Sequence, residues 1–310
     1  MKKYFIRRLL STLPLVLLIS FFAFVLIRLT PSDPALIALR VDGGMPTEEA
    51  IAAMRAELGI DQPVPVQYVR WVGKCLRGDF GNSYVSRKPV MDEFLPAFRN
   101  TLRLAFVSVI GLAAVSAALG VSCAVLQGRL YDRVCRILLF LLTAVPNYLI
   151  AILFIWVFSV KLKWLPTGGM LTPDTIIMPA AVMILGSTNM YVRLIRSSMV
   201  QNLSENYVLY LRACGVKNSI ITRQVLLRSL GSALSALGMS IPRMVAGTFV
   251  VENIFAWPGI GRMCVRAVFD RDYPVIQAFV VLTAVFFLLC NLAVDVIGAA
   301  TDPARREGTA

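Results

Sequence analysis

Long apolar runs alternate with charged segments along the chain, and the lengths of those runs give the first reading. Residues 9–27, 104–126, 137–160, 175–192 and 275–294 contain no Asp, Glu, Lys or Arg, and a sixth run, 229–251, is interrupted only by Arg243. A helix needs about 20 apolar residues to cross a hydrocarbon layer about 30 Å thick. The pattern therefore predicts an all-α, polytopic membrane protein with six transmembrane helices. Lys2, Lys3, Arg7 and Arg8 precede the first run, as in a signal peptide. The run is too long for a signal-peptide core, and Arg28-Leu29-Thr30-Pro31 offers no small-residue cleavage site, so an uncleaved anchor is expected. The organisation that follows is a basic N-terminus with the first span over 1–30, an outer segment over 31–100, five helices over 101–298 and a tail over 299–310.

Two connecting segments carry helical patterns of their own. In the outer segment, Thr47 precedes Glu48 and Glu49, Ile51, Met54 and Leu58 share a face, and Gly59 follows as a stop. A second pattern sets Tyr68, Val69, Val72 and Leu76 on one face and ends at Gly78. Both are read as helices on the outer surface, serving either as packing elements or as a docking surface for a soluble partner. Between the fourth and fifth spans, Ser204 is placed to cap a short helix whose apolar positions are Tyr207, Tyr210, Leu211 and Cys214, closed by Gly215. A short amphipathic helix there lies on lipid or inserts into a groove on another protein. Its one basic residue, Arg212, favours the groove.

Composition agrees with the runs. Of 310 residues, 57% are hydrophobic and 16% charged, and the mean hydropathy is +0.72, against about 25% charged in a soluble domain. Charge adds orientation. The connections that share a side with both termini hold fifteen lysines and arginines against four acids, Asp132, Glu205, Asp302 and Glu307. By the positive-inside rule that side is cytoplasmic. The net charge of +13 thus reads as topology signal and attraction to anionic lipid, not as a nucleic-acid patch.

Candidate chemistry is sparse. The chain has no histidine, no GxxxxGK[ST] phosphate loop and no HExxH or CxxC metal motif, so catalysis within it is not expected. The six cysteines, Cys75, Cys123, Cys135, Cys214, Cys264 and Cys290, read as free thiols. Polar groups inside apolar spans are costly and mark pathways or partners. The candidates are Asn147 after Pro146, Ser187, Thr188 and Asn189, Arg243 beside Pro242, Glu252 and Asp295. Arg243 has two readings, a kink-stabilising ion pair or a pathway cation. Met178, Met183 and Met190 fall in one span, where core filling outweighs a metal-ligand stripe.

Longer motifs supply a family resemblance over nearly the whole chain. They include Arg7-Arg8-Leu9, Leu58-Gly59-Ile60-Asp61-Gln62-Pro63 and Gly78-Asp79-Phe80-Gly81-Asn82-Ser83. The longest is Val251-Glu252-Asn253-Ile254-Phe255-Ala256-Trp257-Pro258-Gly259-Ile260-Gly261, followed by Arg271-Asp272-Tyr273-Pro274. The chain resembles the inner-membrane permease subunits of ABC importers for dipeptides, oligopeptides and nickel. The wording of the longest motif is most similar to the nickel, or metal-chelate, branch.

That resemblance implies a type I ABC importer permease fold in a bacterial inner membrane and a helix over 204–215 that couples to an ATPase through Ser204, Tyr207, Tyr210, Leu211, Arg212, Ala213, Cys214 and Gly215. It further implies a second homologous permease, two ATPase subunits that bind the ATP and magnesium, and an extracytoplasmic solute-binding protein. No cofactor is implied in this chain. The solute would be nickel or a metal–metallophore chelate, with a peptide as the alternative. Asn147, Ser187, Asn189, Arg243 and Glu252 are the residues expected near the path. Where the wider family carries Glu-Ala-Ala in the coupling helix, this chain has Leu209, Tyr210 and Leu211. A proton-coupled transporter using Arg243, Glu252 and Asp295 is the rival of a different class, and a non-transporting receptor is another.

Overall fold

The computed structural model describes residues 2–29, 33–40, 47–59 and 61–301, with side chains at 14–29, 33–39, 47–57, 59, 61–229 and 241–294. Its helices, in chain order, are α1 (Lys2–Arg28), α2 (Pro34–Arg40), α3 (Glu48–Leu58), α4 (Val64–Cys75), α5 (Val90–Val125), α6 (Leu130–Ala144), α7 (Asn147–Phe154), α8 (Ile177–Leu203), α9 (Asn206–Ala213), α10 (Asn218–Ile254), α11 (Ile260–Asp270) and α12 (Tyr273–Thr301). A π-helical stretch, Ile155–Lys161, continues α7, and a 3-10 turn, Pro173–Ile176, leads into α8. Among the described residues the only extended pairing is an isolated bridge between Asn82 and Pro89.

Each of the six apolar runs forms helix. Among the described residues, Val90–Val125, Pro173–Leu203 and Tyr273–Val294 are long and apolar enough to cross a membrane. Runs 9–27 and 229–251 lie in α1 and α10, parts of whose side chains fall outside the described residues. The run 137–160, expected as one unbroken span, is instead two helices bent by 99°. The cause is Pro146. It excludes helical geometry from the residue before it, and Val145 is extended at φ −88° and ψ 122°. The new helix then starts at Asn147, with Pro146 at its N-cap position.

The chain divides into two compact units, one of residues Met1–Asn100 and Gly259–Ala310, the other of Thr101–Pro258. In the first, α1 packs along α12, and α4 packs on α1. The outer helices answer two expectations differently. Thr47 caps α3 by accepting the Ala50 N–H at 3.3 Å, and Gly59 ends it in the left-handed region at φ 65°. The inward face of α4 is the buried Gln67 with half-buried Tyr68, Trp71, Val72 and Cys75, so Tyr68 and Val72 of the expected face turn inward, whereas Val69 and Leu76 are exposed. Aromatic contact decides the rotation. Tyr68 and Trp71 pack on Phe24, and the Tyr68 hydroxyl lies 3.0 Å from the Leu17 carbonyl oxygen and 2.7 Å from Ser20 Oγ. A tyrosine so placed buries its ring and keeps its polar end satisfied, which a valine at the same helix position cannot do.

Elsewhere in this unit, the Gly78–Ser83 motif meets the Arg271–Pro274 motif at one buried carboxylate. Asp272 accepts from Ser83 Oγ at 2.5 Å and from the Tyr84 backbone N–H at 3.1 Å. Burial pushes the neighbouring Tyr84 phenol up to about 12. Val90, Ala267, Val275 and Ala278 complete the small core beneath.

The second unit is built around α8, which packs against α10, α6 and α7. In lipid there is little hydrophobic drive between helices, so close packing and satisfied polar groups hold them together. Gly120 of α5 shows the packing, since a Cβ there would come within 2.8 Å of the Ile195 side chain. Phe255 and Trp257 fill the core with Leu104, Leu112, Met178 and Val182.

Replacing Asp272 with alanine strands the Ser83 hydroxyl and the Tyr84 N–H. It is expected to lower stability by about 1.5–3 kcal/mol, as for hydrogen bonds to a charged group. Thermal unfolding in detergent checks this, with Ser83→Ala expected to cost less because the Tyr84 bond survives.

Candidate functional site

Two places in the second unit concern function. The first is α9 and its support. Leu203 ends α8 with Ser204 as its C-cap, and the Ser204 hydroxyl donates back to the Gln201 carbonyl oxygen at 2.7 Å. Ser204 therefore closes the helix before α9 instead of capping α9. Glu205 holds the N-cap position, with extended backbone and no side-chain cap. The far end is as expected: Cys214 is the C-cap, and Gly215 adopts φ 75° while donating to the Arg212 carbonyl oxygen at 3.0 Å.

The inward face of α9 is Tyr207, Val208 and Leu211, with Val208 buried against Ile195, Met199, Ile221 and Val225. The Arg228 guanidinium lies 4.3 Å from the Tyr207 ring centroid. Tyr210 and Cys214, expected on the buried stripe, face outward with Leu209, Arg212 and Ala213. The four-residue spacing from Tyr207 to Leu211 was sound, but Val208 and not Tyr210 completes it. Leu209 and Tyr210 are 69% and 70% exposed, an apolar pair left uncovered by this chain.

On α8, next to Ile195 of that core, Arg196 takes part in an ion pair that charge counting treats as topology signal. Asp132, fully buried in the first turn of α6, accepts from Arg196 of α8 through Nε at 2.7 Å and Nη2 at 2.8 Å. The Gly128 backbone N–H donates to the same carboxylate at 3.1 Å, and Arg136 Nε stands 3.3 Å away. The bidentate fork fixes both distance and angle between α6 and α8. Its sequence signal was slight, an acid in a first helical turn with an arginine four residues on.

The second place is a cavity of about 220 Å³ whose wall includes Asn147, Met183, Ser187, Tyr191, Arg243 and Gly247. Three of the five residues expected near a path thus converge. Asn147 is set there by the break at Pro146, and its amide packs against Gly186, where any Cβ would collide with Oδ1. Ser187 lies one residue further along α8, and Arg243 follows Pro242 in α10.

The other two expected residues lie elsewhere. Asn189 donates from Nδ2 to Thr143 Oγ1 at 2.9 Å. Glu252 is fully buried and accepts from Thr101 Oγ1 at 2.6 Å, while its backbone carbonyl oxygen takes the Trp257 N–H at 2.9 Å. Asp295 falls among side chains outside the described residues. Arg243 has no acid beside it among the described residues. Its Nη1 lies 3.9 Å from the Met190 thioether, so among the described residues the expected ion pair beside Pro242 is not formed. Met178 is buried core, Met183 takes the Ser108 hydroxyl at 3.6 Å, and Met190 is exposed. No group of three Cys, Asp or Glu side chains able to hold a metal occurs among the described residues.

Comparison with known proteins gives this geometry a context. Residues 116–307 match the model of the binding-protein-dependent transport system inner membrane component, and residues 1–105 match its N-terminal model. The chain is 40% identical over 309 residues to the metal-staphylopine import system permease protein CntB of Staphylococcus aureus (strain NCTC 8325 / PS 47), covering 99% of each. It is 35% identical over 307 residues to the glutathione transport system permease protein GsiC of Escherichia coli (strain K12), again covering 99% of each. Among solved structures it is similar to the MetNI methionine ABC transporter in an inward-facing conformation. There the TM-score is 0.58 at 18% identity, over 68% of this chain and 97% of that one.

Removing one member of the Asp132–Arg196 pair leaves the other charge buried or nearly so. Asp132→Ala is expected to cost about 3–5 kcal/mol, and the double variant Asp132→Ala/Arg196→Met less than Asp132→Ala alone. Unfolding midpoints of the two variants beside the parent protein measure it.

Proposed function

The chain belongs to the family of binding-protein-dependent transport system inner membrane components, and from that premise we propose that it carries a metal chelate as the permease subunit of an ATP-driven importer. The observation that carries the permease reading is the end-to-end match to permease proteins at 35–40% identity. The metal-chelate solute follows the metal-staphylopine relative, whose match is the stronger of the two quoted. A peptide solute follows the glutathione relative and is the second reading.

In this proposal both termini are cytoplasmic and six helices span the inner membrane. The chain pairs with a second permease and with two ATPase subunits, and a solute-binding protein delivers to the outer side. Residues 204–215 are the coupling element, and the outward Leu209–Tyr210 pair, with Arg212, Ala213 and Cys214, meets the ATPase. Tyr207, Val208 and Leu211 root the helix in the chain's own core, so a push on the exposed face is delivered to α8 and α10. The Asp132–Arg196 fork passes the same displacement to α6. Phosphoryl transfer belongs to the ATPase and its magnesium. The proton-relay alternative finds little support in a Glu252 carboxylate committed to Thr101.

Uptake by the complex reconstituted in vesicles tests this. ATP-dependent accumulation of radiolabelled nickel chelate that peptides do not displace is the expected result. Peptide uptake without metal would move the chain to the second reading, and uptake indifferent to ATP would remove the importer mechanism.

Thiol labelling tests orientation and coupling together. Cys214 is exposed, whereas burial, aided by Asp79, pushes the Cys75 thiol of the outer segment up to about 12, leaving it protonated and unreactive at neutral pH. A membrane-impermeant maleimide is expected to label inverted vesicles lacking the ATPase and to spare intact cells. Cys214→Ser should remove most of the signal, and added ATPase should slow labelling at least tenfold.

A further inference from the structure

The cavity in the second unit has a charge that the proposed function leaves without a task. Arg243 sits in an apolar helix where a cation is costly and is retained for a pathway, a partner or a cavity. Three observations narrow the choice. Among the described residues its contact is a thioether, a weak acceptor that answers little of a five-donor guanidinium. The nearest acid in the same helix, Glu252, is buried and already engaged. The helix face that carries Arg243 continues through Ala246, Gly247 and Val250, all exposed, at spacings of three, four and seven residues. Small residues beside a lone cation leave room for something to come close. A lipid-facing stripe has no use for the charge.

The opposite wall supplies neutral hydrogen-bonding groups, the Asn147 amide and the Ser187 hydroxyl, and no ionised oxygen or thiolate. Such a wall offers a divalent metal ion no hard or soft anionic ligand, and Arg243 repels it. A carboxylate meets the reverse situation: a planar fork matched to its two oxygens, with an amide and a hydroxyl to bond the atoms around it.

We infer that Arg243 anchors a carboxylate of the carried solute, so that this chain passes a carboxylate-bearing chelate or peptide and rejects the bare divalent ion. The inference rests on the permease reading for the word solute. The charge of the cavity is independent of that reading. A metal travelling this way is hidden inside its chelator, and the permease reads the chelator's acid groups.

The experiment uses the assembled complex with Ser187→Cys, scoring modification of residue 187 by mass spectrometry. An anionic methanethiosulfonate is expected to react at least tenfold faster than a cationic one of similar size. With Arg243→Gln added, that ratio should fall to about one, and with Arg243→Lys most of the preference should remain. Equal reactivity in the presence of Arg243, a preference that survives Arg243→Gln, or no reaction with either reagent would overturn the proposal. Neutralisation by an acid of a partnering permease would appear as the first of these. In vesicles, radiolabelled nickel is offered as its aminocarboxylate chelate and as the free ion. Accumulation of the chelate alone is expected. Accumulation of the free ion would overturn the carboxylate rule while leaving an importer in place. ATP-independent uptake would remove the importer and leave the reagent ratio to be judged by itself.

Discussion

The pair between Asp132 and Arg196 is the constraint on which the α9 end of the second unit depends. Taking a carboxylate wholly out of water is affordable only with full compensation, and Asp132 receives it from a bidentate guanidinium, a backbone N–H and a second arginine. Because a fork is rigid, the turn after α5, the start of α6 and the lower part of α8 form one body. The helix α9 then has a fixed base on that body, with Val208 buried against Ile195 and Met199 one turn from Arg196. Without such a base, displacement of an eight-residue helix would be absorbed by its connecting loops.

A second constraint is the proline at 146. It turns an apolar run of spanning length into two helices, and the corner delivers Asn147 into the cavity beside Ser187 and Arg243. Irregular backbone inside a membrane is tolerated where protein or a cavity satisfies it. Gly186 belongs to the same device, since only a residue without a Cβ lets the Asn147 amide rest against α8. One break thus positions half of the polar wall.

What the sequence made legible follows from the range of the forces involved. Apolar runs, the cap at Thr47, the stops at Gly59 and Gly215 and the position of α9 depend on neighbours within one or two turns, and the residue order displays those. The rotation of α4 was hidden because Phe24 and Leu17, which select its aromatic face, are more than forty residues away. The face of α9 was half legible: Tyr207 and Leu211 mark it, but Val208 was passed over for Tyr210, whose ring looked apolar and whose surroundings were invisible. Ser204 suited two roles, and the end of α8 claimed it. For the candidate path, residue chemistry alone put Glu252 and Arg243 together, whereas packing separates a buried, satisfied acid from an exposed cation that meets only a thioether among the described residues.

That separation bears on how the chain divides its charges. Asp132, Glu252 and Asp272 are each buried and each satisfied at close range by donors of their own unit. They act as joints, and the free energy of a joint is spent holding helices or loops together. Arg243 shares the cost of lying in an apolar helix without, among the described residues, the compensation that the three acids receive. A charge left uncompensated in the folded chain lowers stability unless something outside it completes the arrangement. The economical resolution is that the missing counter-charge arrives with the cargo. Binding then repairs an electrostatic deficit that folding leaves open, and selectivity for acid groups comes from the same residue that carries the cost.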